Sequence, residues 1–389
     1  MGWICASLGA VLLAVVFGYL GKLVPDANGG PFAYTRLGMG DFAAYLVAWG
    51  YWVSIWCANA AITVAVVGYL AVFFPILGES AIASVATGLA IVWFFTWINS
   101  KEIKTVALVQ IIATTLKIAP ILLIGIWGMF YVQAENFTPF NLTGESNFSV
   151  ITTTTMLTFF AFLGMESATI PSGSVQDSAT TVRKATVFGT LATVVIYIIS
   201  SVAIMGVIPA EVLAESSAPF ADVAEIFWGG AAKYIVAAGA VIATMGALNG
   251  WILMQGAIPM AAAQAGLFPK IFGKVNTAHS PVYGIVISSS IVSIFMLFNY
   301  SNSLVETFSY MMQLTTLAVT IPFLFSIMSL VLLLKKSSAG FYKKCAVAIC
   351  AFAFTVWIMV GCGAEVLISG LVLFLLGIPF YFLISREKA

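Results

Sequence analysis

The chain has 389 residues, of which 61% are hydrophobic and only 8% are charged, and its mean hydropathy is +1.07. A soluble domain carries about 25% charged residues, so this composition excludes a water-soluble fold and predicts an integral membrane protein. The net charge of +1, the single histidine and the five cysteines without a CxxC pair argue against a nucleic-acid partner, a metal ion or cofactor, and a metal-dependent enzyme.

Apolar runs long enough for a membrane helix, which needs about 20 residues, occur about eleven times. The first run lacks the basic leader and cleavage site of a signal peptide, so we interpret it as a span. The second is too long for an upright helix and too short for two, which predicts one strongly tilted helix. The runs lie at residues 3–20, 42–76, 81–98, 105–132, 149–172, 185–208, 231–256, 281–299, 308–334, 345–361 and 366–384.

The basic residues predict how these spans are oriented, because Lys and Arg remain on the cytoplasmic side. All but two of the 16 basic residues follow the first, third, fifth, seventh, ninth or eleventh run. The exceptions are Lys117 and Lys233, which lie within or at the edge of a run. We therefore expect a multi-pass protein of the inner (plasma) membrane whose C-terminus is cytoplasmic and whose N-terminus starts outside.

Glu166 stands in the apolar fifth run, in the segment FFAFLGMESATIPSG (residues 159–173), which contains no other charge. A carboxyl group at membrane depth is costly, and such groups usually face a cavity. Gly164 and Pro171 flank it, and both residue types interrupt helices. A broken span leaves backbone groups that can bind a ligand. We therefore predict a ligand site here; the alternative is a structural carboxyl group bonded to neighbouring Ser or Thr hydroxyls.

Three segments resemble signatures of the amino acid–polyamine–organocation transporter superfamily. They are GGPFAYTRLGMGDFAAYLVAWGYW (a cytoplasmic loop and the family's third span), FFAFLGMESATIPSGSVQDSATTVRKAT (its sixth) and NGWILMQGAIPMAAAQAGLFPKIF (its eighth). The resemblance extends along nearly the whole chain. It is strongest to the basic amino acid/polyamine antiporters, of the arginine–agmatine, lysine–cadaverine and ornithine–putrescine types.

This resemblance implies an all-α membrane protein with two inverted five-helix repeats and two further helices. Residues 1–132 correspond to helices two to five of the first repeat, 149–334 to the second repeat, and 345–389 to the C-terminal helices and tail. The first run, GWICASLGAVLLAVVFGYL, matches the family's second helix. We therefore expect the family's first helix to be missing, and the chain as written to be inactive or nearly so.

The resemblance also implies which residues contact the substrate. Glu166 matches a glutamate that links substrate occupancy to helix movement, and Gly164 lies at the unwound turn. Phe160 stands in place of a gating Trp, and Ala161 in place of a hydroxyl residue, so we expect a weaker ring contact and one lost hydrogen bond. The remaining matches are Tyr51 at a gate, Ser54, Ile55 and Trp251 in the pocket wall, Asn59 near the substrate head, and Thr315 near the substrate. For the aromatic residues, packing between helices is the alternative.

Lys117 lies about twelve residues from either end of its run, too deep to reach an interface easily. Some proton-coupled members of the superfamily carry a lysine on the fifth helix, which implies a proton-coupling role for Lys117.

The leading interpretation is exchange of a basic amino acid for its decarboxylated amine, and the rival is proton-coupled amino acid uptake. The expected partners are a small-molecule substrate, the lipid bilayer and a second copy in a homodimer. The sequence offers no filter-like loop for a channel and no Ser/His pair for a hydrolase.

Overall fold

The structure is a computed structural model that describes residues 1–24, 30–101, 118, 121–169, 178–298, 303–337 and 340–386. Within these ranges the chain is helical and contains no β-strand. The helices, in chain order, are α1 (Gly2–Leu23), α2 (Pro31–Met39), α3 (Asp41–Ala71), α4 (Ile76–Glu79), α5 (Ala81–Asn99), α6 (Ile121–Tyr131), α7 (Asn147–Phe159), α8 (Ser178–Val207), α9 (Ala210–Glu215), α10 (Pro219–Trp228), α11 (Gly230–Gln264), α12 (Val282–Phe298), α13 (Leu304–Leu333), α14 (Phe341–Gly361), α15 (Gly363–Leu375) and α16 (Gly377–Arg386).

Nine helical stretches within the described residues are long and apolar enough to cross a membrane. The predicted span at 281–299 corresponds to α12, which has 17 residues. Most of the predicted span at 105–132 lies outside the described residues, and α6 forms its end. The prediction of a single long second span is confirmed, since α3 is unbroken over 31 residues. At 1.5 Å per residue α3 is about 46 Å long, which exceeds a hydrocarbon core of about 30 Å, and its tilt stays a prediction.

The core of the bundle is organised around α3, which packs most extensively against α13 and α11. Its apolar stretch is 78% buried, whereas the stretch Gly363–Phe382 at the periphery is only 17% buried. Aromatic rings hold α3 to the segment that follows α11, with centroids 5.5 Å apart for Trp52 and Phe268 and 5.2 Å apart for Trp52 and Phe272. Because α3 is enclosed by other helices, side chains on several of its faces can serve a buried site.

Ion pairs join helix ends. Arg36, in α2, donates from Nε to Asp41 Oδ1 at 2.7 Å and from Nη1 to the carbonyl of Ala265 at 3.1 Å, which connects α2 to the start of α3 and to the end of α11. Lys233 Nζ lies 2.7 Å from Glu225 Oε2 and 3.7 Å from Asp222 Oδ1. Because these two carboxylates on α10 stabilise the ammonium group of Lys233, they give a physical reason for this basic residue on the predicted outer side.

The predicted division of the chain into three segments stays a prediction, and the helices are distributed over the segments as follows. Helices α1 to α6 fall in residues 1–132, α7 to α13 match residues 149–334, and α14 to α16 match residues 345–389. The relation of the first two segments as inverted repeats stays a prediction. So does the absence of the family's first helix.

Candidate functional site

The span that carries Glu166 is broken at Leu163 and Gly164. One 3-10 turn, Phe160–Phe162, continues α7, and a second, Met165–Thr169, follows the break. Leu163 is extended, and Gly164 has a φ of +96°, a value that only glycine adopts readily. The predicted interruption of this helix is therefore present, and Gly164 lies at it.

The carboxyl group of Glu166 is only 1% exposed, and both of its oxygens accept hydrogen bonds. Tyr51 Oη of α3 donates to Oε1 at 2.7 Å, and the backbone N–H of Gly164 donates to Oε2 at 3.2 Å. Glu166 thus joins α3 to the break. Its partners are a phenol and a backbone amide rather than the Ser and Thr hydroxyls of the alternative interpretation.

Side-chain hydroxyls donate to backbone carbonyls beside the break, where the carbonyl of Gly164 also accepts from the N–H of Ser167 at 3.0 Å. Ser167 Oγ donates to the carbonyl of Gly164 at 2.5 Å, and Thr169 Oγ1 donates to the carbonyl of Glu166 at 2.6 Å. A buried carbonyl without a partner would cost free energy. These short-range bonds therefore help the chain to keep an irregular backbone at membrane depth.

A cavity of about 740 Å³ opens beside the break. This volume lies within the range of about 300–1,000 Å³ typical of small-molecule sites. Its walls come from α1, α3, α6, α7, the break, α8, α10, α11 and α13. The predicted site residues that line it are Tyr51, Ser54, Ile55, Phe160, Ala161, Gly164, Glu166, Trp251 and Thr315.

Two predicted site residues are not among this lining. Asn59 is completely buried in α3, and its Nδ2 donates to Gln255 Oε1 at 2.7 Å. Lys117 lies outside the described residues. The structure thus brings the other predicted residues together around one cavity and places Asn59 in a neighbouring contact between α3 and α11.

Five Ser and Thr hydroxyls in the cavity wall share one property: each donates its proton to a carbonyl of its own helix. The pairs are Ser54 to Tyr51, Thr158 to Thr154, Ser200 to Ile196, Thr244 to Ala240 and Thr315 to Met311, at 2.7–2.8 Å. A hydroxyl has one proton and two lone pairs, so these groups can only accept hydrogen bonds from a ligand. No Lys, Arg or His belongs to the described lining. The cavity therefore suits a ligand rich in N–H donors.

The sequence matches the profile of the amino acid permease family over residues 1–383. The chain belongs to this family. It is similar to the arginine/agmatine antiporter of Chlamydia pneumoniae (28% identity, 100% of this chain and 83% of the relative). It is also similar to the cadaverine/lysine antiporter of Escherichia coli K12 (30% identity, 91% and 80%).

Among solved structures, the permease resembles a manganese transporter of Eremococcus coleocola with a TM-score of 0.58 and 11% sequence identity, covering 99% of this chain and 87% of that one. This likeness concerns the fold alone. The predicted all-α transporter fold and the predicted superfamily are confirmed. The permease is a multi-pass membrane transporter of small molecules and not an enzyme.

Several aromatic residues that line the permease cavity were missed by the sequence analysis. Trp3 of α1 lies 5.7 Å from Tyr197 of α8 between ring centroids, and Phe308 of α13 lies 6.2 Å from Phe160. In a chain with 14% aromatic residues, a ring within an apolar run is no signal by itself. Only the assembled bundle shows which rings face the cavity.

Trp251 both lines the cavity and contacts the break, where its Cζ2 lies 3.0 Å from the position that a Cβ on Gly164 would occupy. We expect Trp251→Leu to weaken binding of a cationic substrate about fivefold to thirtyfold, since a desolvated cation–π contact contributes about 1–2 kcal/mol. Equilibrium binding to purified protein measures the change. Trp357→Leu is the matched control, because Trp357 is on α14 and is not part of the described lining. Unchanged affinity with a lowered melting temperature would assign Trp251 to packing alone.

Proposed function

We propose that this permease exchanges a basic amino acid for its decarboxylated amine across the inner membrane by alternating access. The observation that carries the proposal is the acid Glu166 in a cavity wall where five Ser and Thr hydroxyls are left as acceptors and the described lining has no Lys, Arg or His. A guanidinium or ammonium group is a donor without an acceptor, and it is therefore complementary to such a wall.

The aromatic lining supports the same class of ligand. Trp251, Phe160 and Phe308 belong to the wall that also contains Glu166. Aromatic faces attract cations by about 0.5–2 kcal/mol and also accommodate alkyl chains. A basic amino acid and its amine share this combination of a charged end and an apolar stem. The names of the Chlamydia pneumoniae and Escherichia coli relatives, antiporters of arginine/agmatine and cadaverine/lysine, support an exchange of this kind.

Binding and counterflow test the proposal. Purified permease is assayed first for equilibrium binding of arginine and then, in liposomes loaded with arginine, agmatine or citrulline, for uptake of labelled arginine. Citrulline is the matched control, because it keeps the size of arginine but replaces the guanidinium with a neutral ureido group. We expect arginine to bind, and internal arginine or agmatine to drive uptake while citrulline does not. Equal stimulation by citrulline, or no binding of any cationic amino acid, would contradict the proposal.

The same liposomes address two remaining predictions. Proton-coupled uptake, the rival interpretation, depends on Lys117, which lies outside the described residues. It predicts that an inward proton gradient accelerates uptake in the wild type and not in Lys117→Ala. The alternative that the chain as written is inactive predicts no counterflow of any substrate, and normal counterflow would contradict it.

The proposal also includes the orientation of the permease in the membrane and its oligomeric state. We place the C-terminus on the cytoplasmic side, because the basic residues alternate between loops as the positive-inside rule requires. We also propose a homodimer and no nucleic-acid partner. Labelling of a single cysteine added after the last helix, in intact and in opened cells, tests the orientation. Mass measurement in detergent tests the dimer.

A further inference from the structure

Helix α11 contains an internal proline, Pro259, whose ring nitrogen carries no proton. In an uninterrupted helix, the carbonyl of Gln255 would accept from the N–H of residue 259. Here Trp52 Nε1 of α3 donates to that carbonyl at 3.0 Å, and Ser288 Oγ of α12 donates to it at 3.1 Å. The proline thus redirects a backbone acceptor of α11 to two neighbouring helices.

The side chain of Gln255 connects the same three helices. It is completely buried, and its Oε1 accepts from Asn59 Nδ2 of α3 at 2.7 Å. Its Nε2 donates to Ser289 Oγ of α12 at 2.7 Å and to the carbonyl of Ile285 at 3.2 Å. Both ends of the amide are therefore bonded. A side chain held from both ends at full burial leaves little freedom for α3 and α11 to move independently.

These contacts lie next to the cavity without being part of it. Trp251 precedes Gln255 by four residues on α11, and Ile55 precedes Asn59 by four residues on α3. Four residues are about one helical turn, so each pair shares a helix face at a separation of about 6 Å. Trp251 and Ile55 line the cavity, whereas Asn59 and Gln255 do not belong to its described lining. The hydrogen bond between the side-chain amides of Asn59 and Gln255 thus joins α3 and α11 one helical turn away from the cavity.

We propose that Gln255 is a positioning residue that fixes the separation of α3 and α11 and thereby holds Trp251 against the break at Gly164. Gln255 acts on the substrate only through Trp251. The inference rests on the proposed function for its substrate readout, but the position of Trp251 can be followed without any substrate.

The main variant is Gln255→Met, which keeps the size of the side chain and removes the amide. We expect arginine to bind about tenfold more weakly, which corresponds to about 1.4 kcal/mol, the size expected when a hydrogen bond is lost and its buried partners stay unpaired. Asn99→Ala is the matched control. Asn99 Nδ2 of α5 donates to Asn249 Oδ1 of α11 at 2.9 Å, so this variant removes another buried amide–amide link to the same helix. We expect it to lower stability without changing arginine affinity.

A spectroscopic readout follows Trp251 directly. The permease is labelled with 5-fluorotryptophan, and the fluorine resonance of Trp251 is assigned by its loss in Trp251→Phe. Without ligand, we expect this resonance to shift in Gln255→Met and to stay in place in Asn99→Ala. Because no substrate is present, the result stands even where the proposed function fails.

An unmoved Trp251 resonance in Gln255→Met, or an equal shift in Asn99→Ala, would overturn the positioning role. Ser289→Ala is the milder variant for the case in which Gln255→Met does not fold. It removes one acceptor of the Gln255 amide and leaves the bonds to Asn59 and to the carbonyl of Ile285. We expect a smaller shift in this variant, and an unchanged resonance would likewise overturn the proposal.

Discussion

Replacing Glu166 with glutamine is expected to weaken the binding of cationic substrates about tenfold to a hundredfold, because hydrogen bonds to charged groups contribute about 1.5–3 kcal/mol. Exchange should fall at least as far. The variant should still fold. The amide oxygen can accept from the N–H of Gly164, and the amide nitrogen can donate to Tyr51 Oη, which then acts as an acceptor.

The Glu166 experiment compares binding, counterflow and melting temperature in the wild type and in three variants. Tyr51→Phe removes the donor to Oε1 but keeps the acid, so we expect a smaller loss of binding than in Glu166→Gln. Glu145→Gln changes an exposed acid outside the cavity and should have no effect. Equal transport by the wild type and Glu166→Gln would show that the carboxyl group has no role in the cycle.

Gly164→Ala is expected to lower both the melting temperature and substrate binding. Its φ of +96° disfavours any side chain, and such backbone strain costs about 1–3 kcal/mol. The added Cβ would also lie 3.0 Å from Trp251 Cζ2 and 3.3 Å from Cη2. Either the ring or the break must move, and both form part of the cavity wall.

A variant of a second glycine, Gly229, separates the effect of backbone strain from the effect of the contact with Trp251. Gly229 has a φ of +82°, and no atom lies within 4 Å of the position that a Cβ would occupy there, so Gly229→Ala carries the backbone strain without the contact. We expect it to lower the melting temperature and to leave substrate binding intact. Combining Gly164→Ala with Trp251→Leu should recover part of the lost stability. Binding in Gly164→Ala that is no weaker than in Gly229→Ala would contradict a role for the contact between the break and Trp251.

The helix break could be predicted because its causes are local in sequence. Gly164 stands two residues before a solitary acid in an apolar run, and each feature is unfavourable in an ordinary membrane helix. The partner of that acid could not be predicted in the same way. Tyr51 is 115 residues away along the chain, and only the packing of α3 beside the break brings the phenol to the carboxyl group.

Asn59 shows a different limit. The resemblance implied a place near the substrate head, whereas the structure pairs its amide with Gln255. Pro259 already indicates from sequence that the carbonyl of Gln255 needs another donor. Which group donates to this carbonyl depends on the helices that pack against α11. The periodicity of the sequence does not identify these helices, because α3 and α11 are apolar on most faces.

Among the described residues that line the cavity, Glu166 is the only Asp, Glu, Lys, Arg or His. In the proposed exchange, a basic amino acid enters as a monocation and its amine leaves as a dication. One acid can balance the first but not the second, so the outward step carries uncompensated positive charge. Against an inside-negative membrane potential this costs about 2.3 kcal/mol per 100 mV. Because a monocation enters and a dication leaves, the proposed exchange is electrogenic, and with a single acid in the cavity wall its outward half is the step sensitive to voltage.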